Sequence, residues 1–131
     1  MRRASDEPGA REHRDHALVL TLGRACETGD VASLASVLDP DVGVVVDGGG
    51  RARLAVGPVR GIGVGVGLVL RVFATVPDAV VAEHPVNGRP GLVVSRDGRV
   101  VAVISLELHR GRVQYVWIVL NPQKLARWNR T

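Results

Sequence analysis

Aromatic side chains are scarce in this chain of 131 residues: two tryptophans, one tyrosine and one phenylalanine, 3% in all. A core of stacked rings is excluded, so the apolar 46% has to be largely aliphatic, and it is ample for one unstapled domain. Cysteine is limited to Cys26, which excludes an internal disulfide and leads to the expectation of a reducing compartment, the cytoplasm. Lysine occurs once, at Lys124, among 17 basic residues. The net charge of +4 therefore comes from scattered arginines, with no basic run interleaved with aromatics. Direct nucleic-acid binding is not expected. Long apolar runs are missing too. Ile62 to Leu70 is too short to span a bilayer. Arg2 and Arg3 are followed by Asp6, Glu7, Pro8 and Gly9 where a secretory leader would be apolar. No membrane contact is expected.

Several chemistries lack their residues. The glycines at 61, 63, 65 and 67 do not make a dinucleotide fingerprint, because Val64, Val66, Leu68 and Leu70 stand where its third glycine would fall. One cysteine and four dispersed histidines make no zinc set. The expectation is no metal and no cofactor. Cys26, within a helical pattern, reads as a small core hydrophobe rather than a nucleophile.

What is present is periodic. Residues 1–11 are polar and read as a tail, with a single domain over 12–131. Leu18, Leu22 and Ala25 make a helical stripe, and Gly29 stops it. Asp30 is placed to cap a second helix carrying Val31, Leu34, Ala35 and Leu38, ended by Asp39-Pro40. Val42 to Val46 is β-branched, and Asp47-Gly-Gly-Gly50 reads as its turn, with Arg51 to Arg60 a second strand. Gly61 to Thr75 alternates glycine with Val or Ile at first, but its length and its Leu68-to-Phe73 half predict a helix. Asn87-Gly88, Asp97-Gly98 and Arg110-Gly111 are two-residue hairpin turns. They predict four strands, Ala79–Val86, Arg89–Arg96, Arg99–His109 and Arg112–Leu120.

Tight turns set register. Unbulged hairpins would align His84, Gly91, Ile104 and Trp117 in one row, and Val86, Arg89, Leu106 and Tyr115 in the next. This face is expected to pack on the helices. A pocket of His84, Gly91, Ile104, Tyr115, Trp117 and Arg89 is then expected, with Gly91 leaving volume beside His84 for a small apolar ligand. No catalytic residue is assigned; His84 or Asp47 as base and Tyr115 as hydrogen-bond donor are the candidates for acid–base chemistry. The opposite face would carry Val101, Val103, Val116, Ile118 and Leu120 within a polar rim, an interface for a homodimer.

The order helix, helix, strand, strand, helix, four-stranded meander resembles the SnoaL-like branch of the nuclear-transport-factor-2-like superfamily. Leu38-Asp-Pro-Asp-Val42, Asp47-Gly-Gly-Gly-Arg51, Pro58-Val-Arg-Gly61, Val86-Asn-Gly-Arg-Pro-Gly91 and Val119-Leu-Asn-Pro-Gln-Lys-Leu125 narrow the resemblance. They are similar to the C-terminal domain of extracytoplasmic-function RNA polymerase sigma factors. Gln123 stands where that group usually has Asp. The resemblance implies an α+β fold, a cone-shaped curved sheet, antiparallel in part and mixed overall, packed on three helices. It also implies a non-catalytic binding or regulatory module, with 47–51 and 121–125 as contact or structural elements and a sigma factor or another protein as partner. The superfamily's ketosteroid-isomerase and polyketide-cyclase enzymes supply the alternative. No stretch resembles promoter-binding sigma regions, so transcription initiation by these residues alone is not expected.

Overall fold

In the computed structural model, which describes residues 8–48 and 56–129, helix α1 runs Pro8–Thr28. It starts earlier than the polar composition suggests. Proline suits a first helical turn, where its missing N–H costs no hydrogen bond, so residues 8–11 of the expected tail are helical; residues 1–7 lie outside the described residues. Val19, Leu22, Ala25 and Cys26 form its buried stripe. Helix α2, Val31–Val37, is capped by Asp30, whose carboxylate accepts from the Ser33 N–H (3.1 Å) and hydroxyl (2.8 Å). These bonds favour the ionised form and hold the Asp30 carboxyl below its usual range. The helix ends before Asp39-Pro40. The Asp39 side chain accepts from the Asp41 N–H instead (2.8 Å), in the irregular first part of strand β1, Leu38–Asp47.

Strand β2 is Val56–Arg60; the rest of the expected strand from Arg51, and most of the glycine turn before it, lie outside the described residues. Residues Ile62–Ala74 form helix α3. Its buried side, Gly65, Val66, Leu68, Val69 and Val72, includes Gly65 against Val42 and Val44. Strands β3 (Val80–Glu83), β4 (Gly91–Arg96), β5 (Arg99–His109) and β6 (Arg112–Val119) make the meander. All three turns have positive φ at both central residues, including Arg110 at 52°, as type I′ hairpins require. The six-stranded sheet has the order β2-β1-β6-β5-β4-β3, with β1 and β6 parallel and the other pairs antiparallel. Helix α1 is tied to the short edge strand by Glu27, which accepts the Val81 N–H (2.6 Å), and by His16 against Glu83 (2.5 Å). Capping an edge N–H in this way blocks its pairing with another strand.

Two bulges correct the expected rows. The His84–Gly91 pairing holds, with the His84 N–H on the Gly91 carbonyl at 3.0 Å. In β5 the register slips between Val94 and Ser95, so Gly91 faces Ser105 and Leu92 faces Ile104. A second slip between Glu107 and Leu108 sets Ser105 against Trp117 and Ile104 against Ile118. Each slip adds one residue to one strand and turns the following side chains to the other face. The helix-facing side therefore carries Ile104, Leu106, Val116 and Ile118, all at most 2% exposed, with Val44 and Val46 beside them. Tyr115, Trp117, Ser105 and Glu107 look outward.

Gly91 leaves no empty volume. A Cβ there would meet Val86 Cγ2 at 2.5 Å, the Ile104 carbonyl at 2.6 Å and the His84 carbonyl at 3.0 Å. Two of those atoms are backbone and cannot rotate away. Gly91→Ala is expected to lower the unfolding free energy by about 1–3 kcal/mol. Gly57→Ala, where a Cβ meets no atom of the described residues within 4 Å, is expected to change it by under about 1 kcal/mol. Urea denaturation of the two variants checks the contrast.

Candidate functional site

The C-terminal residues lie across the outward side of the sheet. Asn121 caps the single-turn helix α4 (Pro122–Leu125) by accepting the Gln123 N–H at 3.0 Å, with Pro122 in the first helical position. A 3-10 turn, Ala126–Asn129, follows. Leu125, 4% exposed, is buried with Val86 and Val103, and Val100, Val119 and Trp128 pack around them. Strand β6 has already ended at this point, and the Asn129 amide takes over from it. Its Oδ1 accepts the Val100 N–H (2.8 Å) and its Nδ2 donates to the Val100 carbonyl (3.0 Å). Lys124 Nζ reaches Asp47 Oδ2 at 2.6 Å, Arg127 Nη2 donates to Asn87 Oδ1 at 3.1 Å, and the Trp128 ring meets His84 edge-on at 5.2 Å.

Beside this segment lies an aromatic and charged cluster. Tyr115 and Trp117 are on one strand two residues apart, with ring centroids at 4.2 Å and a 34° tilt. The Tyr115 ring lies over β1 at Gly43, where any Cβ would come within 2.5 Å of it. The Arg89 guanidinium sits 5.1 Å from the Trp117 centroid, a cation–π contact, and pairs with Glu107 at 3.6 Å.

The structure thus splits the expected pocket set. His84, Gly91, Arg89, Tyr115 and Trp117 share the outward side, while Ile104 is in the core. The expected interface is split as well. Val116, Ile118 and Leu120 are buried in the main core, Val101 packs against it, and Val103 lies under Leu125. Residue type carried a signal that strict alternation hid. Val116 and Ile118 are purely aliphatic and suit burial, whereas Tyr115 and Trp117 have polar ends and suit a half-wet surface. The acid–base candidates do not converge on a desolvated site. His84 is exposed, with Nδ1 at 2.7 Å from the Pro85 carbonyl; Asp47 holds Lys124; and Glu107, opposite Tyr115 in the ladder, is exposed and paired with Arg89. Among the described residues no polar or charged side chain is buried, and no cluster of metal-binding side chains occurs. Sequence reasoning did not single out Arg127, Trp128 or Asn129 as forming a surface, and Leu125 entered only within the 121–125 motif of the resemblance. Asn121-Pro122 was legible as the end of the sheet, not as the cap of a helix.

Two grooves flank α4. One, about 500 Å³, runs between Val76, the Arg96–Arg99 hairpin, Val100 and Leu120. The other, about 420 Å³, lies between Val86, Val103, Val119, Lys124 and Arg127. Leu125 and Ala126 line both.

No protein-family model matches the chain. It is 29% identical over 130 residues to the probable ECF RNA polymerase sigma factor SigI of Mycobacterium tuberculosis, an alignment covering 93% of this chain and 39% of that protein. The chain therefore spans about two-fifths of the length of the curated relatives it matches. The extracytoplasmic function sigma factor SigJ of the same organism is 28% identical and superposes with a TM-score of 0.59, over 88% of this chain and 46% of that one. An NTF2-like protein from Cytophaga hutchinsonii superposes with a TM-score of 0.56 at 14% identity, over 86% and 94% of the two chains. The fold is nuclear-transport-factor-2-like, and in sequence the chain resembles extracytoplasmic-function sigma factors. No helix among the described residues is long and apolar enough to cross a membrane.

The anchors of the C-terminal segment are unequal. The Lys124 and Asp47 side chains are 62% and 35% exposed, so Lys124→Ala is expected to cost only about 0.2–1 kcal/mol. Leu125→Ala should cost about 2–5 kcal/mol and speed hydrogen exchange at the Val100 amide, which Asn129 covers; thermal melts and exchange mass spectrometry read both. At Cys26, burial, with Glu27 adding to it, pushes the thiol from 9.0 up to about 12. The unfolded chain loses that proton first, so stability is expected to be level below about pH 9 and to fall as pH rises toward 12. Cys26→Ser should flatten that alkaline limb in pH-dependent denaturation.

Proposed function

We propose that this chain is a non-catalytic binding and regulatory module that engages a protein partner through the outward side of its sheet. A sigma factor of the kind the chain resembles is the partner class. One observation carries the reading: the motif segments of the resemblance converge to build a surface. Asp47 meets Lys124 of the C-terminal motif, and Asn87 meets Arg127 just beyond that motif. The helix-facing side is aliphatic, with Val44, Ile104, Leu106 and Ile118 at most 1% exposed. The half-buried Trp117 and the exposed Arg89 over its ring are of the residue types that dominate protein interfaces. A sigma factor partner places the module in the cytoplasm.

The test is calorimetric titration of the chain with the promoter-binding regions of a SigI-type sigma factor lacking the part this chain resembles. A one-to-one complex with a Kd of about 0.1–10 μM is expected, weakened at least about tenfold by Trp117→Ala. Absence of heat at about 100 μM, or a homodimer of the chain that excludes the fragment, would sink the reading.

A further inference from the structure

We infer that the two grooves beside α4 receive an acidic peptide segment with apolar anchors, presented by the partner; this rests on the module reading above and specifies what that partner offers. The floor of both grooves is aliphatic: Val100, Val101 and Leu120 in one, Val103 and Val119 in the other, with Leu125 as the ridge between. Their rims are basic. Arg96 and Arg99 stand on the first, Lys124 and Arg127 on the second, and neither lining includes an aspartate or a glutamate.

Lys124 is held by Asp47 at 2.6 Å, but the three arginines have capacity left over. Among the described residues Arg99 makes no ion pair, and Arg96 has only a 4.0 Å contact with Asp97, whose side chain is 94% exposed. Arg127 donates to the neutral Asn87 amide. Charge complementarity therefore selects an anionic partner, while the aliphatic floor selects one that also brings leucine- or phenylalanine-sized side chains. A nucleic acid would satisfy the rims but would leave the floor unused. The groove ring suited to base stacking, Trp128, is half-buried and holds His84 with its edge.

The probe is a short fluorescein-labelled synthetic peptide alternating Glu with Leu and Phe, followed by fluorescence anisotropy against the intact chain. Binding is expected, weakening as salt rises and at least about tenfold weaker for the Arg96→Glu/Arg99→Glu double variant. Both side chains are exposed, and circular dichroism verifies that the variant stays folded. Three results would each overturn the assignment: equal binding by the double variant, equal binding of a peptide with Lys in place of Glu, or tighter binding of a single-stranded oligonucleotide of the same charge. The sigma-factor fragment separates the two readings. A fragment bound equally by wild type and double variant removes the grooves and leaves the module. Charge-dependent peptide binding without any fragment binding keeps the grooves and removes the sigma-type partner.

Discussion

The parallel ladder between β1 and β6 is the contact on which the rest of the molecule depends. In the strand order β2-β1-β6-β5-β4-β3, it alone joins the first two strands to the meander. It sets Val44 beside Val116 and Val46 beside Ile118, which closes the aliphatic layer against which the helices pack. On the outward side the same register sets Gly43 beside Tyr115 and Asp47 beside Val119. The Asp47 carbonyl then accepts the Leu120 N–H at 2.7 Å, just where the chain leaves the sheet. Its carboxylate is consequently in reach of Lys124 one turn further on. Two segments distant in sequence, the Asp47 end of β1 and the C-terminal motif, meet because one strand pairing puts them at the same end of the sheet.

The turns and helices were legible in the sequence because each is a local matter. Asn87-Gly88 and Asp97-Gly98 state their backbone conformation in two residues, and Asp30 caps as its side chain permits. The glycine-rich segment after Gly61 was legible as a helix from its length and from its leucine-valine second half. The faces of the sheet were not legible, because a bulge leaves no local mark. Val100-Val101 offers two equivalent side chains, so either residue serves as the extra one. Gln114 lies in a strand with apolar residues at both parities. The register there is decided by packing on the far side: Ile104 and Ile118 lose more by facing water than Tyr115 and Trp117 do. Of the six residues expected around a pocket, five share the outward side and Ile104 does not, because the slips reverse the faces that unbulged hairpins would give.

That reversal changes what the group can do. An aromatic pair inside a closed cavity would favour binding a small molecule by desolvation. The same pair on an outward face, with Arg89 over one ring and Glu107 exposed beside it, lies at the boundary with water, where shape and charge set specificity more than affinity.

The C-terminal segment adds a constraint of its own. Leu125 is its buried anchor, the Lys124–Asp47 pair is largely exposed, and the Asn129 amide substitutes for a strand that has ended. Grooves remain on both sides because a single helical turn is too narrow to cover the sheet it crosses. A longer helix would have sealed the valines beneath it and removed the rims of arginine and lysine from their apolar floor. The short ridge keeps the two together, and that juxtaposition sets this surface apart from an ordinary solvated sheet face.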